Sequence, residues 1–161
     1  MRVDVCKEKK PDISASTVLL IRDGAVGLEV FMVVRHHEIA SFSGALVFPG
    51  GKVDPSDAHA RPFCSGGEDL DEMALSHRVA AVREAFEESG VLLARNKDGD
   101  ELINAAQLEG IEARWRADLA AGAITMADVC HTEGIVLALD KMVNYAHWIT
   151  PRIGPKVYDT Q

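Results

Sequence analysis

The chain has 161 residues, 47% of them hydrophobic and 26% charged, a size and balance that fit one globular domain with a core of its own. Lys and Arg number 17 against 25 Asp and Glu, a formal charge of -8, which argues against nucleic acid or an anionic membrane as the main partner. No apolar run reaches the roughly 18 residues of a membrane span. The three cysteines, Cys6, Cys64 and Cys130, form no CxxC pair, so a zinc ribbon or disulfide scaffold is not expected.

The start, MRVDVCKEKKPD, is too charged for a signal peptide and reads as a tail over residues 1–13 of a cytoplasmic protein. Residues 17–22 and 28–35 predict a hairpin turning at Asp23-Gly24. ALVF, residues 45–48, predicts a short strand stopped by Pro49. The mixture of Pro, Ser, Gly and charge over 55–69 predicts an irregular loop. A helix is expected over about 68–89, because Leu75, Val79, Val82 and Phe86 build one apolar stripe and Gly90 suits a left-handed terminus. VLLAR, residues 91–95, predicts a buried strand, and NKDGDE a turn. A helix over 104–121 carries Leu108, Ile111, Trp115 and Leu119 on one face, and TMAD at Thr125 reads as a capping box opening another. The end, YAHWITPRIGPKVYDTQ, has a strand-like core and prolines at Pro151 and Pro155.

The central helix carries REAFEESG, in which Glu84, Glu87 and Glu88 stand at i, i+3 and i+4 and converge on a face away from the apolar stripe. Such a face is either a solvated acidic surface or a site for a hard cation, since Mg²⁺ takes oxygen ligands and completes its shell with water and substrate phosphates. Arg83 stands where it can hold one of these carboxylates ionised. Rival motifs fail. Lys52 is followed by Val53, so no P-loop forms, and NKDGD lacks the first and twelfth EF-hand ligands. His36-His37 lacks an HExxH context, and no GxSxG is present.

GGKVDPSD followed by REAFEESGV resembles the signature of the Nudix (MutT-like) hydrolases. Gly51 matches its glycine, Asp57 its first acid, with Asp for the usual Glu, and Arg83, Glu84, Glu87, Glu88, Gly90 and Val91 its second half. The spacer of 25 residues between Asp57 and Arg83 exceeds the family's seven by about 18. That arrangement is similar to the branch containing the peroxisomal coenzyme A diphosphatase, which also shares the phrases GALVFPGG and HWITP…YDT. The resemblance implies an α/β (α+β mixed-sheet) fold of the Nudix α/β/α sandwich type over 14–161, with a box insertion at 58–75 and a helical insertion at 100–140. Relatives continue beyond the YDT phrase, so the resemblance also raises a fold incomplete at its C-terminus.

The activity implied by the resemblance is that of a metal-dependent pyrophosphohydrolase. Mg²⁺ or Mn²⁺ would be held by Glu84, Glu87, Glu88 and the carbonyl of Gly51, with Arg83 orienting Glu84, and Gly50, Lys52 and Arg35 meeting the substrate. Gly50 and Gly51 are expected to serve through glycine's freedom of φ and close backbone approach. The substrate is a small nucleoside-diphosphate derivative, with coenzyme A or an acyl-CoA first and ADP-ribose or another nucleotide sugar as alternatives. A truncated or inactive module binding a nucleotide or a protein is the alternative function, and a homo-oligomer stays open.

Overall fold

A computed structural model describes residues 12–34, 44–151 and 156–161. Arg35, His36-His37 and Pro155 lie outside the described residues. The strands are β1 (Ile13–Thr17), β2 (Ile21–Gly24), β3 (Gly27–Val30), β4 (Val33–Val34), β5 (Leu46–Val47), β6 (Gly50–Lys52), β7 (Cys64–Ser65), β8 (Ala94–Asn96), β9 (Ile135–Ala138), β10 (Trp148–Ile149) and β11 (Tyr158–Thr160). The α-helices are α1 (Glu72–Ser89), α2 (Ala105–Ala120) and α3 (Met126–Glu133). This is the mixed α/β architecture expected. Among the described residues no helix is long and apolar enough to cross a membrane.

One sheet runs β10-β11-β1-β6, with β1 antiparallel to β6 and parallel to β11. A second runs β7-β9-β8. Residues 58–75 and 100–140 meet in that second sheet: β7, from the first stretch, pairs in parallel with β9, from the second. Phe63 and His131 join the same two stretches edge to face, with ring centroids 6.0 Å apart.

Helix α1 packs against β1, β6 and α2. Leu75, Val79, Val82 and Phe86, the stripe read from periodicity, are buried with Ile111, Leu119, Met126, Val129, Ile135 and Leu137 in one core. The opposite surface of α1 is only partly solvated: Glu88 is exposed, and Glu84 and Glu87 are half-buried. Ala81, Ala85, His77 and Arg83 are buried too, because the helix is covered on several sides. His77 Nδ1 lies 3.0 Å from the Ala15 carbonyl oxygen and 3.0 Å from the Ser16 hydroxyl, which ties α1 to β1.

Several boundaries differ from expectation. Helix α1 starts at Glu72, because Asp71 wins the capping position and its carboxylate accepts from the Ala74 N–H at 2.7 Å. The hairpin forms as β2–β3, but Asp23 and Gly24 lie in the strand, and the turn falls on Ala25-Val26 between the paired Gly24 and Gly27. Thr17, expected in that hairpin, belongs to β1 and pairs with Gly50. The buried strand expected over 91–95 is shifted to Ala94–Asn96. The expected loop after Pro55 contains a 3-10 helix, Pro55–Phe63, opened by a capping box: the Asp54 carboxylate accepts from Ser56 N–H, and the Asp54 N–H donates to Asp57 Oδ2 at 2.8 Å. The helices at 104–121 and from Thr125 form, the first capped by Asn104 on the Gln107 N–H and the second by the Thr125–Asp128 box expected.

Candidate functional site

Strand β6 and helix α1 bring the two halves of the sequence pattern together. Gly50 and Gly51 lie in β6 opposite Thr17 and Ser16, and neither has the positive φ expected of them. They are required for space. A Cβ on Gly51 would stand 2.3 Å from Glu84 Cδ, and one on Gly50 would stand 2.3 Å from the Ser16 carbonyl oxygen. The missing side chain at Gly51 is therefore what lets the Glu84 carboxylate lie against the strand.

Arg83 organises the acids. Its Nε donates to Asp57 Oδ1 at 2.8 Å and its Nη2 to Asp57 Oδ2 at 3.1 Å, a bidentate pair. Its Nη1 donates to Glu84 Oε1 at 3.0 Å and Glu87 Oε1 at 3.1 Å, and its Nη2 also donates to the Lys52 carbonyl at 2.7 Å. One guanidinium thus joins the 3-10 helix, β6 and two carboxylates of α1. Arg83 was expected to orient Glu84, and it holds Glu87 as well. Burial would lower its pKa, but the bonds and charge of Asp57, with those of Glu84 and Glu87, raise it.

Asp57, matched in sequence to the pattern's first acid, is 1% exposed and anchors this hub. Glu88 is more exposed, and its Oε2 accepts from the Gly50 N–H at 3.1 Å, fixing it to the same strand. Burial raises the Glu87 carboxyl above the ordinary carboxylate range, against the lowering pull of Arg83. Lys52 gives its carbonyl to Arg83 while the residue itself is exposed. Arg35 lies outside the described residues.

The site's donors are all oxygen: three carboxylates beside the backbone of β6. That set suits a hard divalent cation of the Mg²⁺ or Mn²⁺ kind and not a soft one. Among the described residues no three His, Cys, Asp or Glu side chains stand gathered as a ready-made metal cluster. Two of the carboxylates point instead to Arg83.

The glycines separate structure from chemistry. Gly50→Ala forces a methyl onto the backbone of β1 and destabilises the fold by about 1–3 kcal/mol. The nearest atoms a Gly51→Ala methyl meets are the end of the Glu84 side chain, so it leaves the thermal midpoint nearly unchanged while displacing that carboxylate. Thermal unfolding of both variants, with turnover of the second, checks the distinction.

Sequence reading missed the role of Asp57 and the involvement of α2. The signal available for the first was Asp54-Pro55-Ser56-Asp57, a capping-box spacing with Pro at the first helical position. For the second no local signal existed. Arg116 on α2 donates through Nε to the Glu87 backbone carbonyl at 3.0 Å, a contact between residues 29 apart.

Comparison with known proteins places the chain among Nudix hydrolases. The NUDT19 Nudix domain family matches residues 60–161, which include Arg83 to Val91 but not Gly50-Gly51. A Schizosaccharomyces pombe protein described as a probable nudix hydrolase is 30% identical over 83 residues, 52% of this chain and 23% of that protein. The chain thus matches less than a quarter of the length of that curated relative. The crystal structure of a NUDIX hydrolase from Alicyclobacillus acidocaldarius superposes with a TM-score of 0.71 at 30% identity, covering 93% of this chain and 67% of that one.

Proposed function

The chain belongs to the NUDT19 Nudix domain family, and from that premise we propose that it is a divalent-metal-dependent diphosphatase acting on a nucleoside diphosphate joined to another group. The observation that carries this reading is the meeting of Glu84, Glu87 and Glu88 with Gly50-Gly51 around one buried arginine.

Glu87 and Glu88 would hold Mg²⁺ or Mn²⁺, with the Gly51 carbonyl; Glu84 serves as a third ligand or as the base that orients water. When bound, the cation neutralises the diphosphate and polarises the attacking water. This chain's own residues do the positioning. Arg83 holds the Glu84 and Glu87 carboxylates in position, the Gly50 N–H holds Glu88, and Asp57 keeps Arg83 in place. Water attacks one phosphorus, the bridging P–O bond breaks, and two phosphorylated products leave. No covalent enzyme intermediate is needed, because positioning and electrostatics supply most of the rate. Lys52 and Arg35 are proposed phosphate contacts.

Coenzyme A or an acyl-CoA is the first substrate proposed, on the shared branch phrases, with ADP-ribose and other nucleotide sugars next. Phosphorus NMR of coenzyme A, ADP-ribose and NADH incubated with Mg²⁺ and the protein tests this: cleavage of at least one diphosphate is expected. No cleavage of any of them at high protein and metal concentration overturns the enzyme reading and favours a nucleotide-binding module.

A further inference from the structure

We infer that Arg116 on α2 is a positioning residue of the proposed cation site, acting on Glu87 and Glu88 through the peptide that joins them; this rests on the diphosphatase reading above. Arg116 Nε donates to the Glu87 backbone carbonyl at 3.0 Å. That carbonyl belongs to the planar unit between Glu87 and Glu88, so its orientation sets ψ of the first residue and φ of the second. A tilt of this unit shifts the two side chains relative to each other.

Helix α1 does not hold that peptide by itself. Glu87 and Glu88 stand in its last turn, where the carbonyls have no partner within the helix. Two acids there also oppose the helix dipole, which favours cations at this end, and the last turn of α1 carries no basic residue. The cation is supplied by α2, from a residue 29 positions away.

Arg116 is itself held. Its Nη1 donates to the Glu112 carboxylate, one turn earlier on α2. Glu112 in turn lies against Gly90, which ends α1 at φ 74° and where a Cβ would stand 2.6 Å from Glu112 Oε1. Glu87 is thus gripped from two sides, by Arg83 Nη1 on its carboxylate at 3.1 Å and by Arg116 on its carbonyl. Groups that orient a metal ligand are worth about 10–100-fold in affinity or activity.

The test compares wild type, Arg116→Met and Arg116→Gln. Both replacements are good helix formers that reach about as far as Arg Nε, and both remove the charge; only Gln keeps a donor at that distance. The Arg116 side chain is one-third exposed, so both variants fold. Mn²⁺ binding is titrated by electron paramagnetic resonance below the three thermal midpoints, and Mg²⁺-dependent hydrolysis of coenzyme A, ADP-ribose and NADH is measured alongside. Arg116→Gln binds Mn²⁺ within about twofold of the wild type, and Arg116→Met at least about fivefold more weakly than Arg116→Gln. Charge alone predicts tighter binding by both variants, because each loses a positive group. A smaller difference between the variants, or tighter binding by Arg116→Met than by the wild type, overturns the inference. If the wild type still cleaves a diphosphate, that result leaves the diphosphatase reading intact. The expected order of affinities without hydrolysis of any of the three compounds supports the role of Arg116 and removes the diphosphatase reading. No Mn²⁺ binding by the wild type overturns both.

Discussion

Replacing Glu87 or Glu88 by glutamine lowers Mg²⁺-dependent turnover by at least about a hundredfold, a loss of roughly 3 kcal/mol of transition-state stabilisation. Neither substitution lowers the thermal midpoint at pH 7. For Glu87 the reason is the direction of its ionisation. Burial lifts its carboxyl above the ordinary value of 4.5 in spite of Arg83. A carboxyl raised in the folded state contributes stability below its unfolded pKa, and that contribution is lost as pH rises through the folded pKa. At neutral pH the ionised side chain is thus a cost to folding, and Glu87→Gln removes it while keeping an oxygen for Arg83. The midpoint of Glu87→Gln therefore equals or exceeds that of the wild type, and it varies less with pH just above 4.5. Steady-state kinetics with thermal scans from acid to neutral pH measure both effects. A midpoint for Glu87→Gln well below the wild type would make the carboxylate structural.

Asp57→Ala has the reverse profile and fails in stability first. The Asp57 side chain is fully buried and that of Arg83 only 10% exposed, so removing the carboxylate leaves a desolvated guanidinium without its bidentate partner. Breaking such a pair costs about 3 kcal/mol or more. In a chain of this size that lowers the midpoint by roughly 6–12 °C. The arginine also loses the anchor that aims Nη1 at Glu84 and Glu87, so turnover falls in whatever fraction remains folded. Asp57→Asn, which keeps the shape and one hydrogen bond, retains more of the stability. Equal midpoints for wild type and Asp57→Ala would show that Arg83 does not depend on this residue.

The contrast between these variants reflects how the site is divided. Asp57 and the Lys52 carbonyl act on Arg83, Arg83 acts on Glu84 and Glu87, and only those last carboxylates, with Glu88, face the chemistry proposed. Substitutions on the inner side of Arg83 act through the fold, whereas those on the outer side act through the reaction.

Patterns confined to one turn of chain were legible in the sequence. The spacing of Glu84, Glu87 and Glu88, the Thr125–Asp128 capping box and the Gly90 terminus all depend on neighbours within four residues, and each appears where its local chemistry placed it. The start of α1 was less legible, because Glu68, Asp69 and Asp71 compete for the same end and only packing selects Asp71. The turn at Ala25-Val26 escaped because Asp23-Gly24 is the commoner signal, yet the register of β2 and β3 places both residues in the ladder. Gly50-Gly51 has low strand propensity and became a strand only through its neighbour β1. The partners of Arg83 were hidden for the same reason. Asp57 lies 26 residues away and Lys52 lies 31 away, and nothing local tells an arginine which distant acid or carbonyl it will meet.

The α1 carboxylates beside Gly50-Gly51 are proposed to hold the divalent cation on which the reaction depends. Electron paramagnetic resonance titration of Mn²⁺ tests it without any choice of substrate. The wild type is expected to remove free Mn²⁺ signal at a saturable site, and the Glu87→Gln, Glu88→Gln double variant to weaken that binding at least about tenfold, or 1.4 kcal/mol. Binding of Mn²⁺ with the same affinity in both proteins would place the cation away from Glu87 and Glu88.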